Sequence, residues 1–169
     1  QMCIRDRGIL YTTSEANSIA QIAKFEELAG QYGLEIVKRG IQDSSEVAIG
    51  ATSLAGQVDC ITNLNDNNVV DNLSVLLEKA NEAKIPVYGS EIEQVKNGCL
   101  ASESLDYVAL GKRTGEIAAR VLKGEKAAEV AVGLVDDSQP VVNTDVAAAF
   151  ALTIPEAYAS AEKVNTSAE

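Results

Sequence analysis

Five short apolar runs recur along the chain with a helical pattern between each pair, and this alternation restricts the fold more than any other feature. Residues 8–11, 34–37, 58–64, 85–88 and 99–101 read as strands centred near Ile9, Ile36, Cys60, Val87 and Leu100. The steps between centres are 27, 24, 27 and 13 residues. Each step has room for a crossover helix, the last one tightly. Strands and helices alternating at this spacing predict a five-stranded parallel sheet covered on both faces. Right-handed crossovers then make it a doubly wound α/β fold.

The helical stretches carry their own start and stop signals. Thr12-Thr13-Ser14-Glu15 has the capping form of a hydroxyl residue with Glu three positions later, ahead of a stripe of Ile19, Ile22, Phe25, Leu28 and Tyr32 that Gly33 ends. Asp43-Ser44-Ser45-Glu46 opens a second helix, with Val47, Ala51, Leu54 and Ala55 on one face. Val69, Leu73, Leu76, Leu77 and Ala80 form a third stripe, and Ser90-Glu91 opens a short helix that runs to Gly98. Beyond residue 106 the pattern changes. Leu110, Thr114, Ile117, Ala118 and Val121 line a helix stopped by Gly124. Residues 129–134 alternate like an exposed strand, and 136–140 read as a turn. Asn143 caps a short Ala-rich helix, Pro155 stands at the first position of another, and residues 165–169 are expected to be disordered. Residues 1–7, a charged leader, read as non-native and stay outside the fold argument.

Composition removes whole classes of chemistry. The 169 residues include no His, which excludes His-based triads and the commonest metal ligand. A net charge of −11 opposes a nucleic-acid surface. Cys3, Cys60 and Cys99 are far apart with no CxxC, so neither a zinc site nor a disulfide framework is indicated, and Cys60 and Cys99 read as small core residues. The segment after the first strand, TTSEANS, lacks the GxGxxG of a dinucleotide fold, and no GK[ST] or GxSxG occurs anywhere. No enzyme activity, cofactor or metal is therefore expected.

In an open parallel sheet, ligands bind beyond the carboxyl ends of the strands. The polar residues expected there are Thr12, Thr13, Ser14, Glu15 and Asn17 after the first strand, and Asn65, Asp66, Asn67 and Asn68 after the third. Ser90 and Glu91 follow the fourth, and Ser102, Glu103 and Asp106 the fifth. Hydroxyls and helix-terminal amides can hold a carboxylate, and carboxylates can hold an ammonium group, so this set suits a zwitterion such as an amino acid. Each residue also has a plain structural reading. Thr12 and Ser14 can be helix caps, Asp66 and Asn67 turn formers, and Glu91 a carboxylate at a helix start.

The segments GILYTTSEANS, VDCITNLNDNNVV, ANEAKIPVYGSEIEQVKNGCLAS, LDYVALGKRTGEIAARVLKGE and VVNTDVAAAFALTIPEAYASAEKV together resemble the second half of ABC-transporter substrate-binding proteins of the tryptophan or aromatic amino-acid type. The resemblance covers residues 8–164. It implies two lobes of the type I periplasmic-binding-protein fold, a small ligand such as tryptophan or phenylalanine held between them, and delivery to a membrane permease by an exported lipoprotein. It further implies that 8–105 is the carboxy-terminal ligand-binding lobe and that 106–164 are crossing segments and helices shared with an absent amino-terminal lobe. The site positions implied are Ser14, Glu15, Asn17, Asp66, Asn67, Ser90 and Glu91, with Asn65 standing where the family pattern has threonine. A LacI-type regulator shares the fold and is the alternative, although it needs a basic helix-turn-helix segment upstream.

Overall fold

The computed structural model describes residues 6–133 and 138–166. Strand β1 (Asp6–Thr12) leads through helix α1 (Ala16–Tyr32) to β2 (Glu35–Ile41). A 3-10 turn and α2 (Val47–Ala55) follow, then β3 (Cys60–Thr62), α3 (Asn67–Asp71), α4 (Leu73–Glu82), β4 (Val87–Tyr88) and α5 (Ile92–Lys96). The four strands form one parallel sheet in the order β2-β1-β3-β4. This is the α/β class and parallel pairing expected from the spacing. The strand begins earlier than expected: Asp6 and Arg7 pair with Glu35 and Ile36 and belong to β1. Residues 1–5, Cys3 among them, lie outside the described residues.

One face of the sheet is covered by α2 and α4. Val47, Ala51 and Leu54 of α2 and Leu73, Leu76 and Ala80 of α4 are buried against Leu10, Ile41, Ile61 and Val87. Gly50 lets α2 approach β1 closely, since a Cβ there would lie 2.8 Å from Leu10 Cδ1. The other face is covered by α1, where Ile22 and Phe25 pack on Ile9 and Leu64. The expected α1 stripe is buried only in its middle: Ile19 is 49% and Tyr32 72% exposed. Gly33, at φ +65°, takes the left-handed conformation that ends α1.

The fifth strand departs from the expected sheet. Strand β5 (Ala101–Leu105) pairs antiparallel with β6 (Ser138–Asn143), which pairs in parallel with β7 (Glu162–Val164) to make a second sheet of three strands. The two sheets meet at Leu100. Its N–H donates to Val87 O at 2.7 Å, as a fifth parallel strand would, but its carbonyl accepts from Asn143 N at 2.9 Å. Gly89 N bonds instead to Ala101 O, one residue further on, so the parallel ladder loses register there. The parallel sheet therefore has four strands, and the short 13-residue step is where regular pairing fails.

The tail is redistributed as well. The strand expected over 129–134 is not formed in its described part, where Ala127–Glu129 make a 3-10 turn and 130–133 are irregular. Leu134, Asp136 and Asp137 lie outside the described residues. Ser138–Pro140, read as part of a turn, open β6 instead. Asn143 caps α7 (Thr144–Ala149) as expected, with Oδ1 accepting from Asp145 N and Val146 N. The helix expected after Pro155 shrinks to a 3-10 turn over Glu156–Tyr158, and β7 takes the rest. Asn165 and Thr166, expected to be disordered, are tied to Asp145 through Asn165 Nδ2 and Thr166 N. Residues 167–169 lie outside the described residues.

Helix α6 (Tyr107–Leu122) is capped by Asp106, which accepts from Val108 N and Ala109 N. None of its residues is buried, and Tyr107, Val108, Val121 and Leu122 are all exposed. An apolar helix face left in water favours association. Sedimentation of the chain is expected to show concentration-dependent oligomers, and Val121→Glu with Leu122→Glu to restore the monomer. A monomer at every concentration in the unsubstituted chain would contradict this.

Cys60 and Cys99 are free and fully buried, the core role expected for them. Burial pushes the Cys99 thiol up to about 12 and also raises Cys60. An unfolded thiol ionises near about 8.5, so above that pH the unfolded chain loses a proton that folded Cys99 keeps. Stability is complete below that pH and falls as pH rises toward 12, at up to roughly 1.4 kcal/mol per pH unit. Urea unfolding at pH 8 and pH 10 is expected to show this loss, and Cys99→Ala to reduce it.

Candidate functional site

The carboxyl ends of β1, β3 and β4 come together on one edge of the parallel sheet, and the side chains that follow them are hydrogen-bonded into a continuous rim. Asp66 is at its centre, with no exposed surface. Its Oδ2 accepts from Thr12 N at 2.7 Å and Ser18 Oγ at 2.7 Å, and its Oδ1 from Thr12 Oγ1 at 2.6 Å and Val69 N at 3.3 Å. Asn68 Nδ2 completes the knot by donating to Thr12 Oγ1. The β1–α1 loop is thus tied to the start of α3 through one carboxylate.

Around this knot lies a more exposed ring. The Glu15 carboxylate accepts from Asn67 N at 3.0 and 3.2 Å. Asn17 Nδ2 donates to Asn65 O at 2.9 Å. Ser90 Oγ lies 2.9 Å from Asn63 O and 3.1 Å from Asn65 Oδ1, joining the β4 loop to the β3 loop. Beneath them, buried Gln94 accepts through Oε1 from Asn63 Nδ2 and Ser90 N and donates through Nε2 to Asn65 Oδ1.

Seven of the eight expected positions, Glu15, Asn17, Asn65, Asp66, Asn67, Ser90 and Glu91, are held in these bonds or the adjoining α5 cap, and Ser14 is exposed beside them. Two are taken up in structural bonds. Asp66 is buried, and its carboxylate accepts from four donors. Glu91 spends both oxygens on capping α5, accepting from Glu93 N and Gln94 N, which is its plain structural reading. The Thr12 or Ser14 cap is not formed either: Glu15 stands at the N-cap without a side-chain cap bond, and Thr12 turns to Asp66.

The group after the fifth strand stands apart from this hydrogen-bonded ring, although Ser102 and Glu103 share a groove wall with Ser90. Ser102 and Ser104 hydrogen-bond to each other, Glu103 accepts from Ser138, and Asp106 caps α6, because β5 has turned into the second sheet. Of the tyrosines expected near the rim, Tyr88 lies under the Arg7 guanidinium, 5.1 Å from ring centroid to Cζ. The sequence reading missed Ser18, Asn63 and Gln94. Ser18 stands one helical turn before buried Ile22, and Asn63 directly follows β3 between buried Thr62 and Leu64. Both are polar residues at inward positions, a signal available in the sequence.

A groove of about 870 Å³ opens on the α1 face of the sheet, lined by Phe25, Leu64, Tyr88, Val142, Leu152 and Tyr158 among others. Of the polar residues expected at the sheet edge, Ser90, Ser102 and Glu103 stand on its wall.

The model of the ABC transporter substrate binding protein family matches residues 3–165. The chain belongs to that family. It is 36% identical over 138 residues to a tyrosine-binding protein of Clostridioides difficile (strain R20291), an alignment covering 82% of this chain and 40% of the relative. Its fold superposes with a TM-score of 0.89 and 31% identity on the ABC domain from Streptococcus pneumonia in complex with L-Trp, covering 95% of this chain and 55% of that one. The ligand-free, open structure of a substrate binding protein with adhesive properties from Clostridium difficile gives 0.77 and 34%, over 98% of this chain and 56% of that one. This substrate-binding family member thus spans 40% of its curated relative and 55–56% of these solved structures. LacI-type regulators share the fold at 11–13% identity. Among the described residues, no helix is long and apolar enough to cross a membrane.

Proposed function

We propose that the rim is one jaw of an amino-acid site in a solute-binding protein of an ABC importer, and that the ligand is aromatic. The observation that carries this reading is the ring of Glu15, Asn17, Asn65, Asn67 and Ser90, which gathers carboxylate, amide and hydroxyl groups along a single sheet edge. These groups complement the ammonium and carboxylate ends of an amino acid, and the relatives named above bind tyrosine or hold L-Trp. In this reading Asp66 and Glu91 shape the rim from behind, and the ligand meets Ser14, Glu15, Asn17, Asn65, Asn67 and Ser90. A second lobe supplies the opposite jaw and covers α6, and the closed pair docks on a permease outside the cytoplasm.

A one-jaw site forms only part of the contacts and leaves the ligand open to water, so affinity in this chain alone is expected to be weak. Calorimetric titration with tyrosine, tryptophan and phenylalanine is expected to give dissociation constants above about 1 mM for the 169-residue chain. Joined to an amino-terminal lobe of the family, it is expected to bind at least one of them about a thousandfold tighter. Tight one-to-one binding by the chain alone would place the site elsewhere, the α1 groove being the first place to look.

A further inference from the structure

We infer that Gln94 is a positioning residue that orients Asn65 toward the carboxylate of the ligand; this rests on the amino-acid reading of the rim. The orientation follows from donors that cannot be reversed. The backbone N–H of Ser90 can only donate, so the Gln94 atom 3.0 Å from it is the oxygen Oε1, which also accepts from Asn63 Nδ2 at 3.0 Å. Gln94 Nε2 must then donate, and the atom it meets at 3.1 Å is Asn65 Oδ1. Ser90 Oγ lies 3.1 Å from the same oxygen.

With Oδ1 committed inward, Nδ2 of exposed Asn65 is left as a donor without a partner among the described residues. An unconstrained surface asparagine offers either end of its amide. Here reversal would set Nδ2 against Gln94 Nε2 and forfeit a hydrogen bond of a kind worth up to about tenfold. Gln94 is itself fixed: it is 2% exposed, and its own N–H donates to the Glu91 carboxylate at 2.8 Å. The polarity of one backbone N–H is passed through two side-chain amides to the rim, where it presents a donor suited to an anion.

Gln94→Glu tests the relay. A carboxylate at 94 still accepts from Ser90 N and Asn63 Nδ2 but cannot donate to Asn65, so Asn65 turns Nδ2 inward and shows oxygen to the ligand. The first measurement needs no ligand. Side-chain amide exchange followed by NMR is expected to show Asn65 Nδ2 protons exchanging freely in the native chain and at least tenfold slower in Gln94→Glu. Equal rates overturn the relay whatever the rim binds. The second measurement is a chemical-shift titration of the chain joined to an amino-terminal lobe of the family, where binding is expected to be tight, with L-tyrosine and with L-tyrosine amide, which lacks the carboxylate. Gln94→Glu is expected to lower the preference for tyrosine over its amide at least tenfold, and to have no further effect in an Asn65→Ala background. An effect that persists there belongs to the buried charge and overturns the role of Gln94. Asn65 is exposed, so Asn65→Ala reports even if Gln94→Glu fails to fold; it is expected to lose the same preference, and an unchanged preference overturns the proposal. Absence of any tyrosine-dependent shift at the rim, with the exchange difference intact, overturns the amino-acid reading and the role in ligand binding together.

Discussion

Asp66→Ala is expected to lower the unfolding free energy by about 3–5 kcal/mol, a large share of the stability of a domain this size. The carboxylate accepts from two backbone N–H groups and two hydroxyls with none of its surface in water. The hydroxyls of Thr12 and Ser18 can rotate toward other acceptors. The amides cannot. Thr12 N–H, in a residue only 2% exposed, would be left buried without a partner, and α3 would lose its N-terminal cap. An orphaned buried donor costs about 1–3 kcal/mol and a lost cap about 1, with the charge-assisted hydroxyl bonds adding to these. Asp66→Asn separates the contributions. Its single oxygen can serve Thr12 N and Ser18 Oγ, while its amide nitrogen faces the Val69 N–H, a donor against a donor. A loss of about 1–3 kcal/mol is expected for asparagine, less than for alanine. Urea denaturation followed by circular dichroism measures both, and a loss below about 1 kcal/mol for alanine would show that water replaces the carboxylate.

Asn143→Asp is expected to be at least as destabilising as Asn143→Ala, about 2–4 kcal/mol, although aspartate is an equally good helix cap. As a cap alone, Asn143 would be worth about 1 kcal/mol. In the structure it is wholly buried, its Nδ2 donates to Val95 O at 2.8 Å and Thr166 Oγ1 at 3.0 Å, and its backbone N–H holds Leu100 O. It therefore joins α5, the carboxyl tail and the junction of the two sheets. Aspartate keeps the cap bonds to Asp145 N and Val146 N but sets a carboxylate oxygen against the Val95 carbonyl, with no proton between them. Thermal unfolding of the two variants decides. An aspartate variant as stable as the native chain would mean that the amide contributes only as a cap.

The contrast between these residues marks what could be read from the sequence. Local signals were legible where their partners are local. Asn143 is a cap because the amides it serves are two and three residues away, and the buried stripe of α4 follows from spacing along one helix. The same logic failed for Thr12 and Glu15, whose spacing imitates a capping box while their side chains cross to Asp66 and to Asn67 N, more than fifty residues away. The burial of Asp66 was not legible: a carboxylate in a polar loop reads as a ligand contact or a turn former, and the four donors around it come from three separate segments. The apolar run 99–101 was visible, but β5 starts only at Ala101 and continues through Ser102 and Glu103, which read as lying beyond the strand. Where the chain leaves β4 for β6 depends on where the Leu100 carbonyl finds a donor.

The sequence by itself determined the periodicities, and with them the parallel βα layers, the covering helices α1, α2 and α4, and the set of loops that converge on one edge. These depend on interactions within a few residues and on which face of an element is apolar, and both are written in residue order. Tertiary structure alone decided which polar groups turn inward, which side of the Asn65 amide faces out, and where the first sheet ends and the second begins. Each of those outcomes is fixed by pairing a donor with an acceptor across the fold, and the position of the partner exists only once the chain has closed around it.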